Sequence, residues 1–148
     1  MDKQPHITVA TIVPRKDEFL MVEELQDGVK VYNQPAGHLE FGESLIDAAI
    51  RETFEETNWI VKITHLLGIY HYIAKSSEIH YIRHCFIAEP MEENIGHALD
   101  PDILSVVWLN HEQITKRADK LRSPLVLSNI DDYLRGHRFP LTFENTIV

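Results

Sequence analysis

The chain has 148 residues and only one cysteine, Cys85. One thiol cannot close an internal disulfide, which agrees with a reducing compartment. Cys85 sits in an apolar, β-rich run and reads as a core residue, not a nucleophile. Zinc chemistry is equally short of parts. There are nine histidines but no cysteine cluster and no H-E-x-x-H. His80 and His84 are four apart, yet they fall in a segment that reads as a strand. No run approaches 18 apolar residues, so no membrane-spanning helix is expected. The opening MDKQPH lacks the apolar stretch of a signal peptide, and a cytoplasmic location is expected. Basic residues are scarce: 14 against 23 acidic ones, a net charge of −9. A nucleic-acid polymer needs many phosphates neutralised, so that class of partner is disfavoured. A small anionic substrate stays open, provided divalent metal reverses the local field. The length suits one domain over residues 1–148, expected as a monomer.

What the chain does have is concentrated between Gly37 and Ile60, GHLEFGESLIDAAIRETFEETNWI. A helix is predicted from about Leu45 to Thr57. Ser44 suits the N-cap, Asp47 favours the first turn, and Asn58 suits a left-handed C′ position. Leu45, Ile46, Ala48, Ala49, Ile50 and Phe54 supply a face to bury. Glu52, Glu55 and Glu56 fall within an arc of roughly 100° on that helix. Like charges four apart repel. Either this is a solvated acidic face, or oxygen ligands are gathered for a hard cation such as Mg²⁺ or Mn²⁺. Mg²⁺ usually takes one or two carboxylates and leaves room for substrate phosphates.

These residues resemble the Nudix box. Gly37, Glu43, Arg51, Glu52, Glu55, Glu56 and Trp59 fall in register with it. The six glycine or charged positions would match by chance in roughly one chain in 10⁵ at ordinary residue usage. Thr53 departs where the family has an aliphatic residue, and Asn58 where it has glycine. Neither is a ligand position, and Asn58 is expected to act as a C-cap only. HITVATIV, NQPAGHLE, LRSPLV and RGHRFPL are similar to the NudJ-type branch, the nucleotide and thiamine-pyrophosphate phosphatases.

The remaining segments read as interspersed strands and helices. His6–Val13 and Phe19–Val22 look like a hairpin about a polar turn, and Val29–Tyr32 like a short strand. Trp59–Leu67 and Ile69–Ala74 are β-rich, divided at Gly68. Ile79–Ala88 is a long strand, and Glu89–Pro101 a polar loop. Leu104–Leu109 is a buried strand. Asn110 caps a helix from His111 to about Ala118, and Ser123 caps another ending at Gly136. Pattern alone gives α/β or α+β, a sheet covered by helices. The resemblance implies the Nudix α/β/α sandwich, a mixed sheet between helices.

By that resemblance, Glu52, Glu55, Glu56 and the carbonyl of Gly37 are the metal ligands, for Mg²⁺ or Mn²⁺. Arg51 holds a carboxylate by bidentate bonds, a task for which lysine is a poor substitute. Glu43 is either its partner or a charge favourable to the helix N-terminus. Glu89 matches the place of a late carboxylate that some Nudix enzymes use as ligand or base. It competes with Glu52 for the role of base. Arg122, Arg83 and His38 are candidates for substrate contact, against the alternative of ordinary surface or loop residues. Tyr32, Tyr70, Tyr72 and Trp59 are candidates for stacking on a ring, against a core role. The activity implied is hydrolysis of a phosphoanhydride in a small nucleotide or diphosphate, with orthophosphate released. A nucleotide-sensing module, a nucleoside-diphosphate-X pyrophosphohydrolase and a prenyl-diphosphate isomerase are the other readings. The last would need a reactive cysteine.

Overall fold

The structure is a computed structural model and describes residues 3–147. Eight strands and three α-helices follow one another as β1 His6–Ile12, β2 Pro14–Arg15, β3 Glu18–Gln26, β4 Val29–Asn33, β5 Ala36–His38, α1 Leu45–Thr57, β6 Trp59–Ile73, β7 His80–Glu93, β8 Ile103–Asn110, α2 His111–Lys116 and α3 Leu125–Leu134. Short 3₁₀ turns lie at Ala118–Lys120 and Leu141–Phe143. This is the expected mixture, a mixed α+β sandwich, but its sheet is divided in two. One sheet has the order β5-β1-β7-β6, with β1 parallel to β7 and the other pairs antiparallel. The second is antiparallel, with β3 flanked along one side by β8 and on the other by β2 at its start and β4 at its end.

The division corrects the first hairpin. Only Pro14–Arg15 pairs with β3, while β1 leaves for the other sheet. Positive φ at Lys16 (58°) lets the chain reverse there. Gly68 does not divide β6, either. The strand runs through it, and its register with β7 slips between Leu66 and Gly68. Such bulges bend a strand without ending it.

Apolar residues on the two faces of the first sheet form two clusters. Val9, Phe86 and Ala88 pack with Ala48 and Ala49 of α1. Ala10, Cys85 and Ile87 pack with Val126 and Ile130 of α3. The helix over Leu45–Thr57 has the predicted ends. Ser44 accepts a bond from the Asp47 amide at 3.0 Å, and Asn58 has φ 65°. A partner from the far end of the chain completes its start. The Glu144 carboxylate accepts from the Leu45 amide at 2.6 Å and from Ile46 at 3.3 Å, a negative charge on the helix N-terminus. Asn110 caps α2 through a full capping box with Gln113. At α3 the helix begins at Leu125, with Pro124 and not Ser123 at the cap; Ser123 Oγ still accepts from the Leu125 amide at 3.2 Å.

Thr53, a departure from the box, is fully buried and satisfied. Its hydroxyl donates to the Ala49 carbonyl at 2.7 Å and lies 2.8 Å from Thr11 Oγ1 of β1. Cys85 is fully buried, and burial pushes its thiol up to about 12. That setting suits a core residue and denies the isomerase reading its cysteine.

Candidate active site

The site forms where α1 crosses β5. Gly37 pairs with Val9 of β1, and a Cβ on Gly37 would strike the Glu52 carboxylate. Only glycine allows that approach of backbone to carboxylate. Oxygen atoms of Glu52, Glu55 and Asp100 lie within 4.8 Å of one another. This set of hard oxygen donors, next to bare backbone, fits a divalent cation of the Mg²⁺ or Mn²⁺ type.

Arg51 organises the group. Its Nη2 and Nε donate to both oxygens of Glu43, at 2.6 and 3.0 Å. Its Nη1 donates to Glu52 at 2.7 Å and to Glu55 at 3.1 Å, and Nη2 also reaches the His38 carbonyl at 3.1 Å. The fork therefore grips Glu43 in bidentate fashion and turns two carboxylates toward each other. The pairing holds Glu43 below the usual carboxylate range. Burial outweighs Arg51 at Glu52 and raises it.

Glu56 takes a different position from its two neighbours. It is buried, accepts a bond from the Ala36 amide at 2.9 Å, and is pushed up to about 9, chiefly by burial and then by nearby Glu24, Glu52 and Asp100. So two of the three box glutamates converge, and the third underpins the turn that carries Gly37.

Glu89 does not join them. It lies within β7, which runs on to Glu93, and it is exposed opposite Lys62. Strand alternation puts it on the side of Cys85 and Ile87, away from α1. His84 is level with Val9 and hence with Gly37, so Glu89 is about 16 Å further along the strand. The late carboxylate at the site is Asp100, on the loop before β8. Its amide donates to the Glu55 carbonyl at 3.1 Å. No local pattern marked it, because its neighbours in space are some 45 residues away in sequence.

From Gly37 a cavity of about 730 Å³ extends to the tip of the β6–β7 hairpin. Its walls include Ala36, His38, Tyr72, Tyr81, Arg83 and Arg122. Arg83 is only 6% exposed. Its guanidinium donates to three amide oxygens, those of Gln34 (3.2 Å), Asn129 (2.9 Å) and Asn33 (3.3 Å). Arg122 donates to buried Glu24 at 2.7 Å and keeps two-fifths of its side chain exposed. His38 Nε2 lies 3.0 Å from His6 Nδ1, and burial with that neighbour lowers its pKa. Of the candidate stacking residues, Tyr72 reaches the cavity and stacks on Tyr81, 6.5 Å between centroids. The other three are committed elsewhere. Tyr32 bonds to Glu23, Tyr70 to Asp132, and Trp59 packs edge-on against Trp108.

Comparison with known proteins agrees with this geometry. The NUDIX domain family model matches residues 3–128. The chain is 40% identical over 138 residues to Phosphatase NudJ of Shigella boydii, covering 93% of this chain and 89% of that protein. It is 39% identical over the same span to Phosphatase NudJ of Escherichia coli K12. Among solved structures, a NUDIX hydrolase from Nitrosomonas europaea superposes with a TM-score of 0.96 at 36% identity, covering 97% of this chain and 98% of that one.

Proposed function

The chain belongs to the Nudix family and is a phosphohydrolase, and from that premise we propose that it is a Mg²⁺-dependent phosphatase of nucleoside di- and triphosphates and of small diphosphates such as thiamine pyrophosphate, releasing orthophosphate. The observation that carries this reading is the cavity itself. Gly37, whose backbone abuts the Glu52 carboxylate of the oxygen cluster, lines it together with Arg83 and Arg122. Those are the parts needed to hold a short polyphosphate by its oxygens.

Glu52, Glu55, Glu56 and the Gly37 carbonyl are assigned as metal ligands, and Asp100 joins them. Bound divalent metal supplies Lewis-acid polarisation of the phosphoryl group and a more acidic attacking water. Arg51, anchored by Glu43, keeps Glu52 and Glu55 in place by direct bonds. Arg83 and Arg122 orient the phosphates, and positioning of this kind supplies much of phosphoryl-transfer catalysis. Tyr72 and Tyr81 offer aromatic surface to a base or thiazole ring. Glu52, raised by burial, is suited to take the proton of the attacking water.

Turnover of a panel in ¹⁸O-labelled water tests the proposal. Label in orthophosphate, with nucleoside diphosphate formed from a triphosphate, is the expected result. Nucleoside monophosphate and pyrophosphate as sole products would place the attack one phosphorus further in and refute the orthophosphate assignment.

A further inference from the structure

Asn58 stands where the box has glycine, and its backbone does what glycine would do there. With φ 65° it closes α1, its amide donating to the Phe54 carbonyl at 2.9 Å. Its other groups go further. The side-chain Nδ2 donates to the His97 carbonyl at 2.9 Å, and the Asn58 carbonyl accepts from the Asn94 amide at 2.8 Å. One residue thus holds two points of the loop between β7 and β8. The Phe54 ring meets His97 edge-to-face, with centroids 5.1 Å apart. Three residues beyond His97 the Asp100 amide closes on the Glu55 carbonyl, and the Asp100 carboxylate arrives beside Glu52 and Glu55.

Oxygens of the Asp100, Glu52 and Glu55 carboxylates lie within 4.8 Å of one another, and like charges that close repel when no divalent cation is bound between them. The loop must therefore be held by other means, and the bonds just named are those means. Glycine at position 58 would retain the helix cap and the bond from Asn94 but not the bond to His97. The asparagine also buries its Oδ1 without a partner among the described residues, a cost that glycine would not incur.

We propose that Asn58 is a positioning residue: its side-chain amide fixes the loop that carries Asp100 and thereby strengthens cation binding by the carboxylate group. This rests on the metal-site reading given above. The test uses the full chain and Mn²⁺ as probe, with free Mn²⁺ followed by electron paramagnetic resonance. Asn58→Gly should weaken Mn²⁺ binding about tenfold, the lower end for groups that orient metal ligands. It should also raise the Mg²⁺ concentration for half-maximal turnover, with little change in kcat at saturating metal. Amide exchange should quicken across 94–102 while α1 stays protected. Asp100→Asn should weaken Mn²⁺ binding, and Asn58→Gly in that background should add almost nothing. Unchanged Mn²⁺ affinity in Asn58→Gly, or the same loss with and without Asp100, would overturn the proposal and leave Asn58 a cap. A wild-type chain that binds no Mn²⁺ would overturn the metal-site reading, and this inference with it.

Discussion

Arg51 and Arg83 are held in opposite ways. Arg51 is surrounded by oxygens of Glu43, Glu52 and Glu55, with Glu40 at 3.6 Å. Its charge is neutralised by the groups it holds, and that pairing raises its own pKa. Arg83 is more deeply buried, yet its hydrogen-bond partners are the neutral amides of Gln34, Asn33 and Asn129. Amide oxygens fix a guanidinium without cancelling its charge. Burial lowers the Arg83 pKa, but an arginine stays protonated at neutral pH. The first arginine clamps a group of carboxylates. The second lines the cavity wall while bonded only to neutral amides. Chemically identical side chains differ in role because one is paired with ions and the other with dipoles.

The contrast can be broken at either end. The largest effect is expected at the carboxylate end, from Glu56→Gln. The substitution is nearly isosteric, and kcat should fall about a hundredfold or more, the scale for losing a key electrostatic group. Near-normal turnover at millimolar Mg²⁺ would remove Glu56 from the ligand set. Arg51→Lys comes next. Lysine cannot grip both Glu43 oxygens and reach Glu52, so metal affinity should fall roughly 10- to 100-fold. Titration calorimetry with Mg²⁺ measures this. If Arg51→Lys instead raised KM at unchanged metal affinity, the clamp assignment would fail.

Arg83→Met is the matching change at the other end. It should raise KM for a nucleoside triphosphate by about tenfold or more, the scale of a charge-assisted hydrogen bond, and leave Mg²⁺ affinity alone. A thermal melt separates this from lost stability, since three amide oxygens lose their donor. Equal losses of metal and substrate binding would erase the distinction between the two arginines.

The smallest effect is one of pH. Burial pushes Glu56 in the folded, metal-free chain up from 4.5 to about 9. A raised carboxylate stabilises the fold while it holds its proton. That contribution is complete below 4.5 and is lost as pH rises toward 9. Glu43, held down by Arg51, acts in the other direction, but only as pH falls below its ordinary value. With chelator present, Tm should fall as pH rises from 5 to 9. Saturating Mg²⁺ should reduce the drop, because an ion that binds only the native site stabilises it. A Tm that rises over that range would contradict the burial of Glu56.

Helix α1 and its immediate contacts were readable from residue order. Ser44, Asn58, the Glu43–Arg51 pair and the common face of Glu52 and Glu55 all depend on spacings within a turn or two, where helix geometry leaves little freedom. The carboxylate that joins them was not readable in the same way. Glu89 had a plausible place in the chain, but β7 runs past it and points it to the face opposite α1. Asp100 had no distinguishing neighbours, and it reaches the site on a loop that is bonded back to Asn58 and Glu55. The Glu144 cap on α1 is of the same kind. So are the amide cradle of Arg83 and the separation of β1 from β3 into different sheets.

Residue order by itself therefore determined the family, helix α1 with its caps, and the clamp of Arg51 on Glu43. Only the tertiary structure decided which distant carboxylate joins the group, which arginine is held by neutral amides, and which aromatics face the cavity. The physical reason is range. Local dihedral preferences and helical periodicity act over a few residues, whereas strand register, bulges and loop tethers bring together groups that no spacing in the chain connects.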